Sequence, residues 1–257
     1  MKPIRIRFGL RGMMGTVAFA AIGFSLWESL VLRPVAREQQ SATQLKRLGA
    51  DVFSTDNRPE WEKALLRGVP VTKVLRVDLE GTRVASADLV HLRDFPRLAA
   101  LSLKKTEVDD SGIPFILEHR EFRQLDLSHT KVTDFRLEAL TELVDLDLRG
   151  THIARLSLDG LSKLEGLNLG STNIHEFGLR PVGGLSALRS LDLRDTKIRD
   201  ADLDHLKTLT NLKVLYLYDT PVTDRGVAEL RRAIPGLEVR RFGTTATGGI
   251  RPRYSSK

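Results

Sequence analysis

Cysteine is absent from this 257-residue chain. Disulfides, thiolate catalysis and Cys-based zinc sites are therefore excluded, and the redox state of the compartment leaves no mark. Aromatic residues are scarce, at 6%. The short motifs of common active sites are missing too: no G-x-S-x-G, no H-E-x-x-H and no G-x-x-x-x-G-K-[ST] occurs, and "HEFGL" at 175–179 only imitates the start of a zinc motif. No Asn-x-Ser/Thr sequon exists. A surplus of positive charge is lacking where a nucleic-acid face would need it. The net charge is +7, but residues 1–50 carry eight Lys/Arg against two acids and residues 237–257 five against one, leaving the stretch between them at −3. Clustered Lys/Arg on the fold itself is the footprint of nucleic-acid binding, so none is expected here.

What is present begins with an apolar run. Lys2, Arg5, Arg7 and Arg11 precede Met13–Leu32, and Arg33 and Arg37 follow it. Twenty residues are about what a spanning helix needs. Glu28 is its weak point, yet it lies four residues from the end, near the headgroups, beside Trp27. Three readings compete: a non-cleaved signal anchor, a signal peptide cleaved after "AFA" at 18–20, and a buried helix of the fold. The anchor reading leads. With four cations before the run and two just after it, the positive-inside rule then expects a single-pass membrane protein with residues 1–12 in the cytoplasm, membrane contact through 13–32 and everything after Leu32 outside. Residues 35–48 read as an amphipathic or stalk helix ended by Gly49, within a stalk and N-terminal cap spanning 33–70. "GADVFSTDNRPEW" reads as a turn-rich joint, "EWEKALLRG" as a short capping helix, and 243–257 as a flexible basic tail.

Between these ends one spacing, apolar-x-x-apolar-x-apolar-x-x-Thr-x-apolar, recurs seven times. Its threonines are Thr82, Thr106, Thr130, Thr151, Thr172, Thr196 and Thr220, separated by 24, 24, 21, 21, 24 and 24 residues. A stretch such as "LDLSHTKVTD" at 125–134, which could pass for the floor of an active site, is thus one coil of seven. The pattern resembles the leucine-rich repeat family over residues 71–242, with Thr standing where the family has Asn or Cys. The resemblance implies an α/β solenoid with a parallel sheet on its concave side and helices or short turns on its convex side. It also implies that the inward polar residue bonds backbone between neighbouring coils. With the N-terminal run, it further resembles membrane-anchored bacterial repeat proteins of planctomycete type, which implies a binding scaffold and no enzymatic activity.

The alternation itself places Leu125 and Leu127 inward and Asp126 outward. Ser86, Asp110, Asp134, Asp200 and Asp224, four residues after their threonines, read as helix N-caps. The two short intervals predict a thinner convex side in the middle. Outward columns then give a candidate partner-binding face: Asp78, Asp126, Asp147, Asn168 and Asp192 form an acidic stripe, flanked by Arg149 and Arg194 and closed by Tyr216 and Tyr218 as aromatic anchors. Such a face suits a protein or peptide with basic or hydrogen-bonding groups; an Asp that only solubilises its strand is the plainer reading. His129 and His152 fall in adjacent coils, but no third ligand accompanies them, so neither a metal nor a cofactor is expected. Two other functions stay open: a soluble intracellular adaptor resembling the repeat half of ubiquitin-ligase substrate receptors, though no F-box-like segment precedes the coils, and a metal-assisted hydrolase using the acidic stripe.

Overall fold

The computed structural model describes residues 33–55, 73–176 and 178–241. Helix α1 (Arg33–Arg47) and strand β1 (Asp51–Thr55) precede the coils. The coils supply β2 (Lys73–Asp78), β3 (Ala100–Ser102), β4 (Gln124–Asp126), β5 (Asp134–Arg136), β6 (Asp145–Asp147), β7 (Arg155–Ser157), β8 (Gly166–Asn168), β9 (Ser190–Asp192), β10 (Val214–Tyr216) and β11 (Glu238–Arg240). Helix α2 (Ile113–Leu117) follows β3, and α3 (Asp224–Ala233) follows β10.

Nine strands form one sheet in the order β1-β2-β3-β4-β6-β8-β9-β10-β11. From β2 onward every pairing is parallel and in register, so Leu101, Leu125, Leu146, Leu167, Leu191 and Leu215 stack in one row. All six are at most 3% exposed. Burying each contributes about 1.5–3 kcal/mol, which a lone coil could not turn into a fold but a stack can. The fold is that of a leucine-rich repeat solenoid.

The turn after each strand explains the threonine. The residue before it is left-handed in all seven coils: Gly81, Lys105, His129, Gly150, Ser171, Asp195 and Asp219 have φ between 53° and 66°. From Gly81 to Asp195, its N–H donates to a carbonyl of the next coil, for example Gly81 to Lys104 and Lys105 to Ser128. The threonine hydroxyl does not reach across coils as expected. It donates to the carbonyl of the leucine three residues earlier, at 2.6–2.9 Å in every coil. Backbone carries the links between coils here; the hydroxyl closes the turn beneath them.

The opposite side varies. Ser86–Asp94 and Asp200–Leu206 are 3-10 turns, α3 is a full helix, and Ile174–Glu176 and Val182–Gly184 are single 3-10 turns. The expected caps sit one residue inside these elements; the cap positions belong to Ala85, Asp109, Arg199 and Thr223. Asp134 caps nothing, because it opens β5, which pairs with β7 in a separate two-stranded parallel sheet. The 21-residue intervals leave too little chain for a helical turn there, and an extended crossing takes its place.

At the N-terminal end, α1 seats Leu45 fully into the core, with Ala42 and Leu48 partly buried beside it. Gly49 ends the helix, its N–H donating to the Lys46 carbonyl at 3.0 Å. The joint at 51–55 is a strand, paired antiparallel with β2 through a bulge beside Phe53 and Ser54. Val52 and Phe53 supply strand-forming side chains.

The expected membrane localisation is corrected. Among the described residues no helix is long and apolar enough to cross a membrane, and α1, with 15 residues, is polar on most positions. The run at 13–32, the helix expected at 60–68 and the tail at 243–257 lie outside the described residues.

Candidate functional site

The outward columns of the sheet assemble as the register dictates. Asp78, Ser102, Asp126, Asp147, Asn168, Asp192 and Tyr216 follow one another on adjacent strands. Five of these do a local task that sequence reasoning missed. In Asp78, Asp126, Asp147, Asn168 and Asp192, Oδ1 accepts the N–H two residues on, at 2.8–3.0 Å. Each thereby satisfies a donor at the point where strand becomes turn, an Asx turn repeated along the stack.

Their second oxygens differ. Asp147 Oδ2 accepts from Asn168 Nδ2 at 2.9 Å, and Asp78 Oδ2 lies 3.4 Å from Arg76 Nη2. Asp126, Asp145 and Asp147 join Asp78, Glu80, Ser102 and Gln124 around a shallow depression of about 190 Å³. Burial pushes the Asp147 carboxyl above its ordinary value, the Arg149 N–H pulls the other way, and the Asp126 charge adds to the rise. Lys104 is held protonated by Glu80 at 2.8 Å, and the charges of Asp126 and Asp147 act in the same direction. Sequence reasoning missed Asp145, Gln124 and Arg76; the column two residues before the stripe, at 76, 100, 124, 145, 166, 190, 214 and 238, was there to find them.

At the other end the face changes character. Arg194 Nε grips both Asp192 oxygens, at 2.8 and 2.9 Å, and its guanidinium lies 5.5 Å from the Tyr216 ring centroid. Arg240, tied to Glu238 at 2.7 Å, lies 5.3 Å from the same ring and donates to the Tyr216 hydroxyl at 3.2 Å. Tyr216 on β10 is thus flanked by cations from the turn after β9 and from β11, and Tyr218 stands beside it with ring centroids 6.5 Å apart. Gly166 and Gly170 lie between the two regions. A Cβ at Gly166 would come within 2.4 Å of Asp145 Oδ1, so the gap there is set by the neighbouring carboxylate.

Chemistry beyond binding finds little here. His129 and His152 line one depression with Lys131 and Gly150, and among the described residues no group of three His, Asp or Glu side chains is placed to hold a metal. Ser41, His91 and Asp94 do meet: Ser41 Oγ donates to Asp94 Oδ2 at 2.5 Å and lies 3.3 Å from His91 Nδ1. Ser41 is 3% exposed, and its hydroxyl is held by the Asp94 carboxylate.

No protein-family model matches the chain, and no curated protein matches it. Solved structures do. Internalin C2 of Listeria monocytogenes is 23% identical, over 66% of this chain and 81% of its own, with a TM-score of 0.49. An internalin, inlF, of the same organism is 21% identical over 72% and 63%, with a TM-score of 0.47. The functional domain of InlJ, described as including a cysteine ladder, is 16% identical over 62% and 38%, with a TM-score of 0.45. The chain spans less than two thirds of the last two. Its assignment as a leucine-rich repeat fold rests on its own seven coils and their register.

Proposed function

We propose that this protein is a non-enzymatic binding module whose sheet face holds a partner protein or peptide. The observation that carries this reading is the fixed Tyr216 on an otherwise polar face: two guanidinium groups, each anchored by its own carboxylate, hold a half-buried aromatic ring in place before any partner arrives. A rigid aromatic side chain loses little entropy on binding and is the kind of residue that dominates interface energies. Asp126, Asp145 and Asp147 at the other end suit basic groups of the same partner, with Arg149 and Arg194 setting register between them. Asp78, Asn168, Asp192 and Tyr218 complete the face.

In-cell crosslinking with a photoreactive residue at position 218, followed by recovery of the full chain, tests it. A discrete adduct that disappears in Tyr216→Ala while the fold stays intact is the expected result. Adducts indifferent to Tyr216→Ala and to Asp126→Asn would move the binding surface elsewhere. The hydrolase reading makes a separate forecast: Asp126→Asn with Asp147→Asn would abolish turnover, whereas here the pair changes partner affinity alone.

A further inference from the structure

The junction between α1 and the first coil holds more ionisable chemistry than a structural seam needs. On α1, Glu38 and Ser41 are one helical turn apart and face the same way. Glu38 Oε1 accepts the Val74 N–H at 2.9 Å, in the strand pair that carries the bulge, and so ties the helix to the sheet. Ser41 Oγ ties it to the 86–94 turn by donating to Asp94 Oδ2, with His91 on its other side. Glu38 faces this junction from α1, His91 and Asp94 come from the turn, and β2 offers the Val74 N–H. Lys46 lies further along α1, lining a depression with Glu38, Ala42 and Val74.

Burial raises the Glu38 carboxyl above its ordinary 4.5, the Val74 bond opposes the rise, and the Asp94 charge adds to it. The Asp94 carboxylate, held on the turn by the Ser41 hydroxyl, thus acts on Glu38 across the seam, where both cannot be charged without cost. Apolar packing of Leu45 holds the helix down, and the Asp94 charge works against a charged Glu38 across the seam.

We propose that α1 is an acid-tightened cap, seated on the first coil through Glu38, Ser41, His91 and Asp94 and loosened when both carboxylates are charged. The sign follows from linkage. A carboxyl raised by docking takes up its proton more readily docked than undocked, so docking gains as pH falls through the raised range and gains no more below about 4.5. It is lost as pH rises through that same range.

The absence of cysteine makes the test clean. In the full chain, Ala42→Cys places one thiol in the seam, and its alkylation rate divided by that of a free peptide of the same sequence gives a protection factor. That factor should be about threefold or more higher near pH 5 than near pH 8. Adding Glu38→Gln, which keeps the acceptor for Val74, should flatten the profile at its acid level. Ala233→Cys on α3 reports the opposite end and should not respond to Glu38→Gln. Protection equal at both pH values, an Ala42→Cys thiol open at every pH, or a slope that survives Glu38→Gln would each overturn the proposal.

Discussion

The sheet face and the side opposite it are made by the same seven coils, yet one is uniform and the other is not. On the sheet face, three residues per coil repeat the same pairing from β2 to β11. On the far side, the coils pass through 3-10 turns, a two-stranded sheet and a ten-residue helix. The uniform side is fixed by the leucine row, which tolerates no slip because a one-residue shift would turn every leucine outward. The variable side is fixed by how many residues remain to close the coil, and any element that buries its apolar residues will serve.

That contrast can be broken by substitution. Leu146→Ala, in the middle of the row and 2% exposed, should cost about 2–5 kcal/mol by urea denaturation. Leu156→Ala on the half-buried β7 should cost less than half as much, and equal costs would mean the two sides are equally constrained. The next largest effect separates two kinds of aspartate. Asp200 on the variable side reaches into the next coil, accepting the Thr223 N–H at 2.7 Å and its hydroxyl at 2.5 Å; Asp110 does the same for Thr133. Asp200→Ala should cost about 1 kcal/mol, discounted for exposure, and Asp126→Ala only a few tenths, since its bond stays within one coil.

Acid sharpens the same difference. Hydrogen bonds from Thr223 hold the Asp200 carboxyl below its ordinary 3.8. For Asp110, burial pushes up, but the bonds from Asp134 and Thr133 win and its value is also lowered. A depressed carboxyl stabilises fully above its unfolded value, so this contribution is lost as pH falls through and below about 3.8. Thermal melts should show that loss shrinking in Asp200→Asn. His119 acts earlier: burial lowers its value below the ordinary 6.5, against the pull of Glu118, so the unfolded chain binds its proton first and stability declines as pH drops below about 6.5. His119→Leu should remove that slope, at the cost of the ring's hydrogen bond to the Leu92 backbone, while Nε2 has no partner to lose.

The smallest effects lie in the turn ridge that joins the two sides. Gly81 has φ +66° and open space where a Cβ would stand, so Gly81→Ala should lose about 1 kcal/mol from backbone conformation alone. His129→Gly at the equivalent place should lose nothing and gain up to about 1 kcal/mol in the same denaturation assay. A loss there would show that the His129 ring, which lies over Gly150, contributes packing.

The sheet was legible because its signal is periodic. The threonine spacing aligned the leucines in the order in which they pair, and the outward columns followed by alternation. The second sheet was not legible. "TD" at 133–134 is the same dipeptide that opens α3 at 223–224, and only the length of the interval separates a strand from a helix there. Likewise the pairing of Tyr216 with Arg240 depends on a last coil whose pattern has decayed, and the Asx turns depend on a carboxylate bending back on its own backbone, which no spacing announces. β1 was missed because five residues of strand between polar neighbours look like a loop until β2 pairs with them.

The pair β5 and β7 also has a consequence for how the stack curves. Strands sit about 4.8 Å apart on whichever side they lie, whereas packed helices need about 8–10 Å. Where helical elements back the sheet, the outer side advances further per coil and the stack bends toward its sheet. Between the coils of β5 and β7 both sides advance by one strand spacing, and the bend vanishes. Asp126 and Asp147 stand on the sheet side of those two coils, where equal spacing on both sides favours the flattest part of the face.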